Sequence, residues 1–356
     1  MLSLGSSSLP SFNLDGDTVG EQVLTSLSNL VAHLGRLGVD GPRHLRNPSL
    51  AGRGEMIGQG AQFEVFRDKV GAMPDVVFKR VRLDRLYGAS VTLGLEALSH
   101  LKTIELEIRS LCDPVRRSNR NIVDLISWGY DYPTSDLRLR IPVLIVERAL
   151  CSLEDALTTK RIDELGFFGS EIPHYLSLDI AAGLRSVHES NLAHGDLKPA
   201  NILIFRQDNQ QVPYIAKLSD FGSCIALENE CLTYASYRGT EGWRPPEITL
   251  FESSVSESPL PYLDPQKLVR CDSYVYGLVI VSLFLSCARP TRGTRLSQVE
   301  VQSANLADIF TKLNLPSRLL QRLQTVAEGL LSMTPELRPD ISPDLLLCDV
   351  DSSKTW

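Results

Sequence analysis

The sequence predicts an α+β fold of two unequal lobes: a β-rich N-lobe with one main helix, and a larger helical C-lobe. Three observations carry this reading. Over residues 55–81 apolar and polar residues alternate, broken by Gly-rich and Gly-Ala-Met-Pro turns, as short strands require. From Ser152 onward the apolar spacing is helical, interrupted only by short β-like pieces at 202–205 and 215–219. The longest uncharged apolar stretch, residues 273–288, has 16 residues. That falls short of the ~20 needed to span a bilayer, so it reads as a helix buried on all sides inside a large domain.

In chain order, residues 1–18 are rich in Ser, Gly and Asp and are expected to be disordered. Val19, Val23, Leu24, Leu27, Leu30, Val31, Leu34 and Leu37 recur at steps of three and four and predict an amphipathic helix. Such a helix either docks on its own domain or serves a regulatory partner. Residues 38–50 carry Gly, Pro and Arg and read as a linker, so residues 1–50 form an N-terminal extension. The strands of 55–81 follow. Leu95, Leu98, Leu101, Ile104, Ile108 and Leu111 then share one side of a helix over 92–111. A short apolar strand, PVLIVE, occupies 142–147. The expected domain is 51–347, with an N-lobe to 146, a hinge at 147–150 and a C-lobe from 151. Residues 348–356 form a tail.

Composition narrows the function class. The 356 residues are 43 % apolar and 22 % charged, which excludes wholesale disorder. Lys and Arg number 36 against 43 Asp and Glu, a net charge of −7, so no global basic field favours nucleic acid. Seven scattered cysteines without a CxxC pair, and six scattered histidines, give little support to a zinc site. Free thiols fit a reducing compartment. The N-terminus lacks the basic start and compact apolar block of a signal peptide. The expectation is therefore a cytoplasmic protein with neither a membrane nor a nucleic-acid partner.

Five motifs follow in a fixed order. Ile57-Gly58-Gln59-Gly60 leads to Phe63 and Val65; two glycines one residue apart turn a strand sharply and bring backbone N–H groups close to phosphates. Val76-Val77-Phe78-Lys79 is a strand with one lysine, a residue ordinarily solvated there. Glu107 lies one turn from Ile104 and one from Leu111, beside the buried stripe, where it could pair with Lys79; Glu105 falls further from that face. His194-Gly195-Asp196-Leu197-Lys198-Pro199-Ala200-Asn201 places a carboxylate, a lysine and an amide on one loop. Asp196 can accept a hydroxyl proton, Lys198 can neutralise a transferring phosphoryl group, and Asn201 offers an oxygen to Mg²⁺. Asp220-Phe221-Gly222 follows a strand-like stretch, and Asp220 can chelate Mg²⁺ across two phosphates.

In this order the sequence resembles the eukaryotic protein kinase family, Ser/Thr type, from about residue 55 to 347. Further marks are Gly239-Thr240-Glu241-Gly242-Trp243-Arg244-Pro245-Pro246-Glu247, Asp272 with Gly277, and Arg338-Pro339. The resemblance implies a bilobal kinase-like fold and transfer of the γ-phosphate of ATP, with Mg²⁺, to Ser/Thr hydroxyls of protein substrates. It implies that Lys79 holds the α/β-phosphates and pairs with Glu107, and that Asn201 and Asp220 hold Mg²⁺. Asp196 would position the acceptor hydroxyl, and Lys198 would stabilise the γ-phosphoryl charge. Ile57, Gly58 and Gly60 would cover the nucleotide. Val65 and Val77 above and Leu203 below would sandwich adenine. The backbone from Glu147 to Ala149 would meet its edge, with a small Val146 opening a back pocket. Asp272 would anchor the catalytic loop from the start of the central helix, and Arg338 would pair with Glu247.

The sequence departs from the family at three places. Phe63 replaces the third glycine; as a loop residue it would either weaken ATP affinity or cap the phosphates, and retained binding is the expectation because Gly58, Gly60 and Val65 remain. Gly195 replaces the arginine before the catalytic aspartate, so switching by loop phosphorylation should be weak. Thr233, Tyr234, Ser236 and Tyr237 are expected to be solvated first of all. Pro245 stands where alanine is usual. Two other readings compete. One is a pseudokinase scaffold, supported by Phe63. The other is a small-molecule phosphotransferase of the aminoglycoside type, against which the GTEGWRPPE string and Arg338 argue.

Overall fold

Strand alternation decides how the N-lobe is built. The structure is a computed structural model and describes residues 54–60, 63–68, 75–82, 91–131, 141–157, 161, 164–167, 171–208, 212–229, 232–253, 263–288 and 317–346. The predicted helix at 19–37, the N-terminal extension and the tail lie outside them. Strands β1 (Gly54–Gln59), β2 (Phe63–Asp68), β3 (Val76–Val81), β4 (Leu125–Asp131) and β5 (Ile141–Glu147) form one antiparallel sheet in the order β1-β2-β3-β5-β4. Successive side chains point to opposite faces. Phe66, Val76, Phe78, Val143 and Ile145 therefore form one small apolar cluster. Phe63, Val77, Val81, Leu144 and Val146 turn the other way, into the main core. Between β2 and β3, Glu64 lies opposite Arg80, and the two form an ion pair at 2.6 Å.

Helix α1 (Val91–Cys112) packs on that inner face. Its Ile104, Ile108 and Leu111 are buried, as the spacing predicts, and it is followed by α2 (Pro114–Arg117). Asp113 caps α2, accepting from the amides of Val115 and Arg116.

The C-lobe opens with β6 (Cys151–Ser152) and α3 (Leu153–Ala156) and is built on α4 (Ile172–Glu189). Strand β7 (Leu192–Ala193) pairs with β10 (Ile225–Ala226). Between them, β8 (Ile202–Arg206) and β9 (Tyr214–Leu218) form a hairpin, and β6 pairs with β8. These are the two β-like pieces expected from the sequence. Among the described residues, helices α5 (Pro246–Ser253), α6 (Pro265–Ala288) and α7 (Ser317–Leu330) follow.

The 16-residue apolar run is the later part of α6, which begins at Pro265 and spans 24 residues. By length and composition α6 could cross a membrane, yet 94 % of its apolar window is buried inside the protein. The uncharged run understated the helix because its first turns carry charge. That charge has partners: Lys267 with Glu336 at 3.0 Å and Arg270 with Asp340 at 2.8 Å. Asp272 therefore sits in the third turn of α6, not at its start as expected. Gly277 lets α7 approach, since a Cβ there would lie 2.9 Å from the Cβ of Leu330.

Candidate active site

The strand register aims Lys79 at the core side of the sheet. It lies opposite Val65 on β2, and both belong to the face that carries Val77 and Val81. Lys79 Nζ donates to Glu107 Oε1, closing an ion pair between β3 and α1. Glu107 is 1 % exposed, whereas Glu105 is only half-buried and pairs with Arg109 on its own helix. Burial works against the Lys79 ammonium, but Glu107 and Asp220 outweigh it and raise its pKa. Burial pushes the Glu107 carboxyl up; Lys79 pulls it back, and the Asp220 charge adds to the rise.

The loop after β7 is held by one buried aspartate. Asp272 accepts the backbone amides of His194 (2.6 Å) and Gly195 (3.1 Å), the Tyr237 hydroxyl (2.9 Å) and the His188 ring (3.0 Å). Burial opposes its ionisation, yet these contacts hold its pKa below the ordinary carboxylate range. Gly195 has φ +76°, and a Cβ there would fall 2.3 Å from the Ser223 carbonyl oxygen. Position 195 therefore has a backbone that, as folded here, suits only glycine.

Asp196, Lys198 and Asn201 converge as the spacing suggests, and Thr240 joins them. Lys198 Nζ donates to Asp196 Oδ2 at 2.8 Å and to Thr240 Oγ1 at 2.6 Å. Thr240 Oγ1 donates to Asp196 Oδ1 at 2.7 Å. Asn201 Nδ2 donates to the Asp196 carbonyl at 2.7 Å. The Ser219 amide and hydroxyl both donate to the Asn201 carbonyl, at 2.9 and 3.0 Å, tying this loop to Asp220. Asp220 takes φ +62°, an uncommon conformation for a non-glycine residue and one found at functional sites. Phe221 is fully buried, 5.5 Å ring to ring from His194.

These residues fit a hard divalent cation. Asn201 spends its amide nitrogen on Asp196, which leaves its oxygen, and Asp220 adds a carboxylate. Among the described residues no group of three or more His, Cys, Asp or Glu could hold a metal alone. One or two protein oxygens are what Mg²⁺ takes when phosphates supply the rest.

The connection between lobes is anchored on both sides. Arg148 N donates to Asp75 O at 2.8 Å, and Leu150 N to Ile204 O at 2.8 Å. Glu147 is bound by Lys217 Nζ at 2.6 and 2.8 Å and by the Asp124 amide at 2.7 Å. Val65, Val77, Ala149 and Leu203 all border the same core, and Val146 is 3 % exposed. Ile57 is exposed at the β1 edge, and a register shift falls between Met56 and Gly58.

Two expectations need correction. Phe63 is not a loop residue. It is the first residue of β2, 4 % exposed, with Lys79 Nζ 4.6 Å above its ring centroid, while the Gly60 amide donates to its carbonyl at 2.8 Å. The alternation that turns Val65 inward turns Phe63 inward too. Tyr237 is not solvated: it is 2 % exposed and bound to Asp272, because its ring fills an apolar cluster with Ile248 and Leu268. Thr233, Tyr234 and Ser236 are partly buried. The Tyr237–Asp272 bond and the Lys217–Glu147 latch escaped the sequence reading, since no local pattern pairs residues 35 and 70 apart. Thr240 was visible within the GTEGW string, but its contact with Asp196 was not.

Further down, Arg338 forms a bidentate pair with Glu247, Nη1 to Oε1 at 2.6 Å and Nη2 to Oε2 at 2.8 Å, as expected.

Comparison with known proteins agrees with this architecture. Over 202 residues, 55 % of this chain, it is 27 % identical to the serine/threonine-protein kinase/endoribonuclease IRE1a of Arabidopsis thaliana, covering 21 % of that protein. Over 201 residues, 54 % of this chain, it is 26 % identical to the serine/threonine-protein kinase SKM1 of Saccharomyces cerevisiae, covering 29 % of it. A shorter segment of 115 residues, 29 % of the chain, is 40 % identical to the meiosis induction protein kinase IME2/SME1 of the same yeast, covering 16 % of it. The chain thus matches less than a third of the length of each of these relatives. The model of the protein kinase domain matches residues 54–345, the span that holds both lobes and every group described above, and the chain belongs to the protein kinase family.

Proposed function

We propose that the chain is a Mg²⁺- and ATP-dependent kinase that phosphorylates Ser/Thr hydroxyls of protein substrates, acting in the cytoplasm. The observation that carries this is the ring of hydrogen bonds joining Asp196, Lys198 and Thr240, with Asn201 and Asp220 beside it. In this reading Asp196 orients the acceptor hydroxyl and takes its proton, and Lys198 neutralises charge on the transferring group. Lys79, fixed by Glu107, holds the α/β-phosphates. Asn201 and Asp220 offer the oxygens for Mg²⁺, which when bound neutralises phosphate charge. Ile57, Gly58, Gly60, Val65, Val77 and Leu203 surround the nucleotide, and the backbone at Glu147 and Ala149 meets the adenine edge. With glycine at 195, no arginine stands ready there for an activation-loop phosphate.

The test is phosphate incorporation from Mg·ATP into a mixed peptide array, with Asp196→Asn and Asp220→Asn as controls. Transfer to serine and threonine by the wild type alone is expected. Equal and negligible labelling by all three, with nucleotide still bound, refutes the catalytic reading. That outcome would favour a pseudokinase scaffold, to which the ring over Lys79 lends support.

A further inference from the structure

Lys79 has an unusual neighbour. Phe63 lies diagonally across the β2–β3 register from it: Lys79 faces Val65, and Phe63 is two residues back on the same face. The ring is 4 % exposed and meets the ammonium at 4.6 Å from its centroid, while Glu107 binds Nζ from α1. The aromatic face is an electrostatic partner for a cation, and more so away from water. In addition, the Gly60 amide, one of the loop donors expected to face phosphates, is engaged by the Phe63 carbonyl at 2.8 Å. One residue thus occupies two groups that a polyphosphate would use.

We propose that Phe63 sets the nucleotide preference of this site by competing with the polyphosphate for Lys79. The inference rests on the kinase reading of the site but concerns affinity, not transfer. A nucleoside polyphosphate must take Lys79 from the ring face, whereas a nucleoside, which never reaches Lys79, need not. ATP therefore gains less over adenosine here than an open phosphate subsite would allow. The pairing also keeps Lys79 and Glu107 assembled across β3 and α1 before nucleotide arrives.

The experiment measures dissociation constants for adenosine and for Mg·ATP by calorimetry on the full chain, comparing wild type with Phe63→Leu and Phe63→Gly. Leucine retains apolar bulk in the core and removes the π face, so it reports even if the glycine variant fails to fold. Phe63→Leu should bind Mg·ATP about fivefold more tightly and adenosine within about twofold of wild type. Phe63→Gly, where folded, should widen the ratio further. Equal shifts for both ligands, or no shift for ATP, overturn the proposal. Loss of adenosine and ATP binding by the wild type alike also overturns it, together with the nucleotide site. Phosphate transfer assayed in parallel separates the two readings: a protein that binds ATP with the expected ratio change but never labels peptide fails as a kinase while the Phe63 inference stands.

Discussion

Replacing Glu247 by alanine strands a guanidinium that has no exposed side-chain surface. The Arg338 side chain is 0 % exposed, and Glu247 meets it through two bonds of 2.6 and 2.8 Å. At an effective dielectric of about 20, that separation corresponds to an attraction of about 6 kcal/mol before desolvation is charged against it. Removing one partner of a buried pair leaves desolvation unopposed and costs about 3–5 kcal/mol. Some cation contacts survive: Nε to Ser332 O at 2.9 Å, Nη1 to Arg270 O at 2.9 Å, and the Tyr274 ring at 4.8 Å. These hold the loss within that range rather than beyond it. Urea denaturation of Glu247→Ala should show the deficit directly, and in a domain of this size the melting temperature should fall by roughly 5–8 °C. Adding Arg338→Met removes the stranded charge, so the double variant should lose less than the sum of the two single variants, by at least about 2 kcal/mol. Additive losses, or a Glu247→Ala variant within about 0.5 kcal/mol of wild type, would refute the argument.

Other outcomes follow from the same physics. Lys79→Met leaves Glu107 buried without its cation and should cost about 2–4 kcal/mol near neutral pH. Because the folded state raises the Glu107 pKa, that variant should be more stable toward acid and lose stability as pH rises; urea titrations at several pH values check this, and adding Glu107→Gln should flatten the profile. Asp179 accepts the Ala216 amide at 3.0 Å, and burial lifts its pKa from 3.8 to about 6. Its contribution is therefore complete below about pH 4 and lost as pH rises through about 6, by about 1–2 kcal/mol after allowance for its partial exposure, and Asp179→Asn should remove that slope. Gly195→Ala must place a Cβ against Ser223 O at positive φ and should cost about 2–5 kcal/mol by denaturant unfolding; a change below about 0.5 kcal/mol would show that the loop yields freely.

Most of the fold was legible in the chain because its signals are local. Alternation placed β1 to β3, and the spacing of Ile104, Ile108 and Leu111 placed α1. The pair between Lys79 and Glu107 was readable only because each side chain sits on the buried face of a strongly patterned element. Where the pattern was ambiguous, the reading slipped. Charged residues hid the first two turns of α6, since their partners Glu336 and Asp340 come far later in the chain. Tyr237 looked like a loop hydroxyl, but a loop residue's burial depends on what packs over it.

Phe63 shows the division most clearly. The sequence by itself determined that a ring stands where the family resemblance places a third glycine, and that Lys79, Asp196, Asn201 and Asp220 occur in the order of the protein kinase family. Order and residue type are covalent facts, and motif chemistry follows from them. Only the tertiary structure decided that Phe63 belongs to β2, faces inward and rests on Lys79, that Thr240 closes the ring with Asp196 and Lys198, and that Asp272 binds two amides of the loop together with His188 and Tyr237. Each of those contacts depends on register, on burial or on the meeting of distant segments, and these are settled when the core closes.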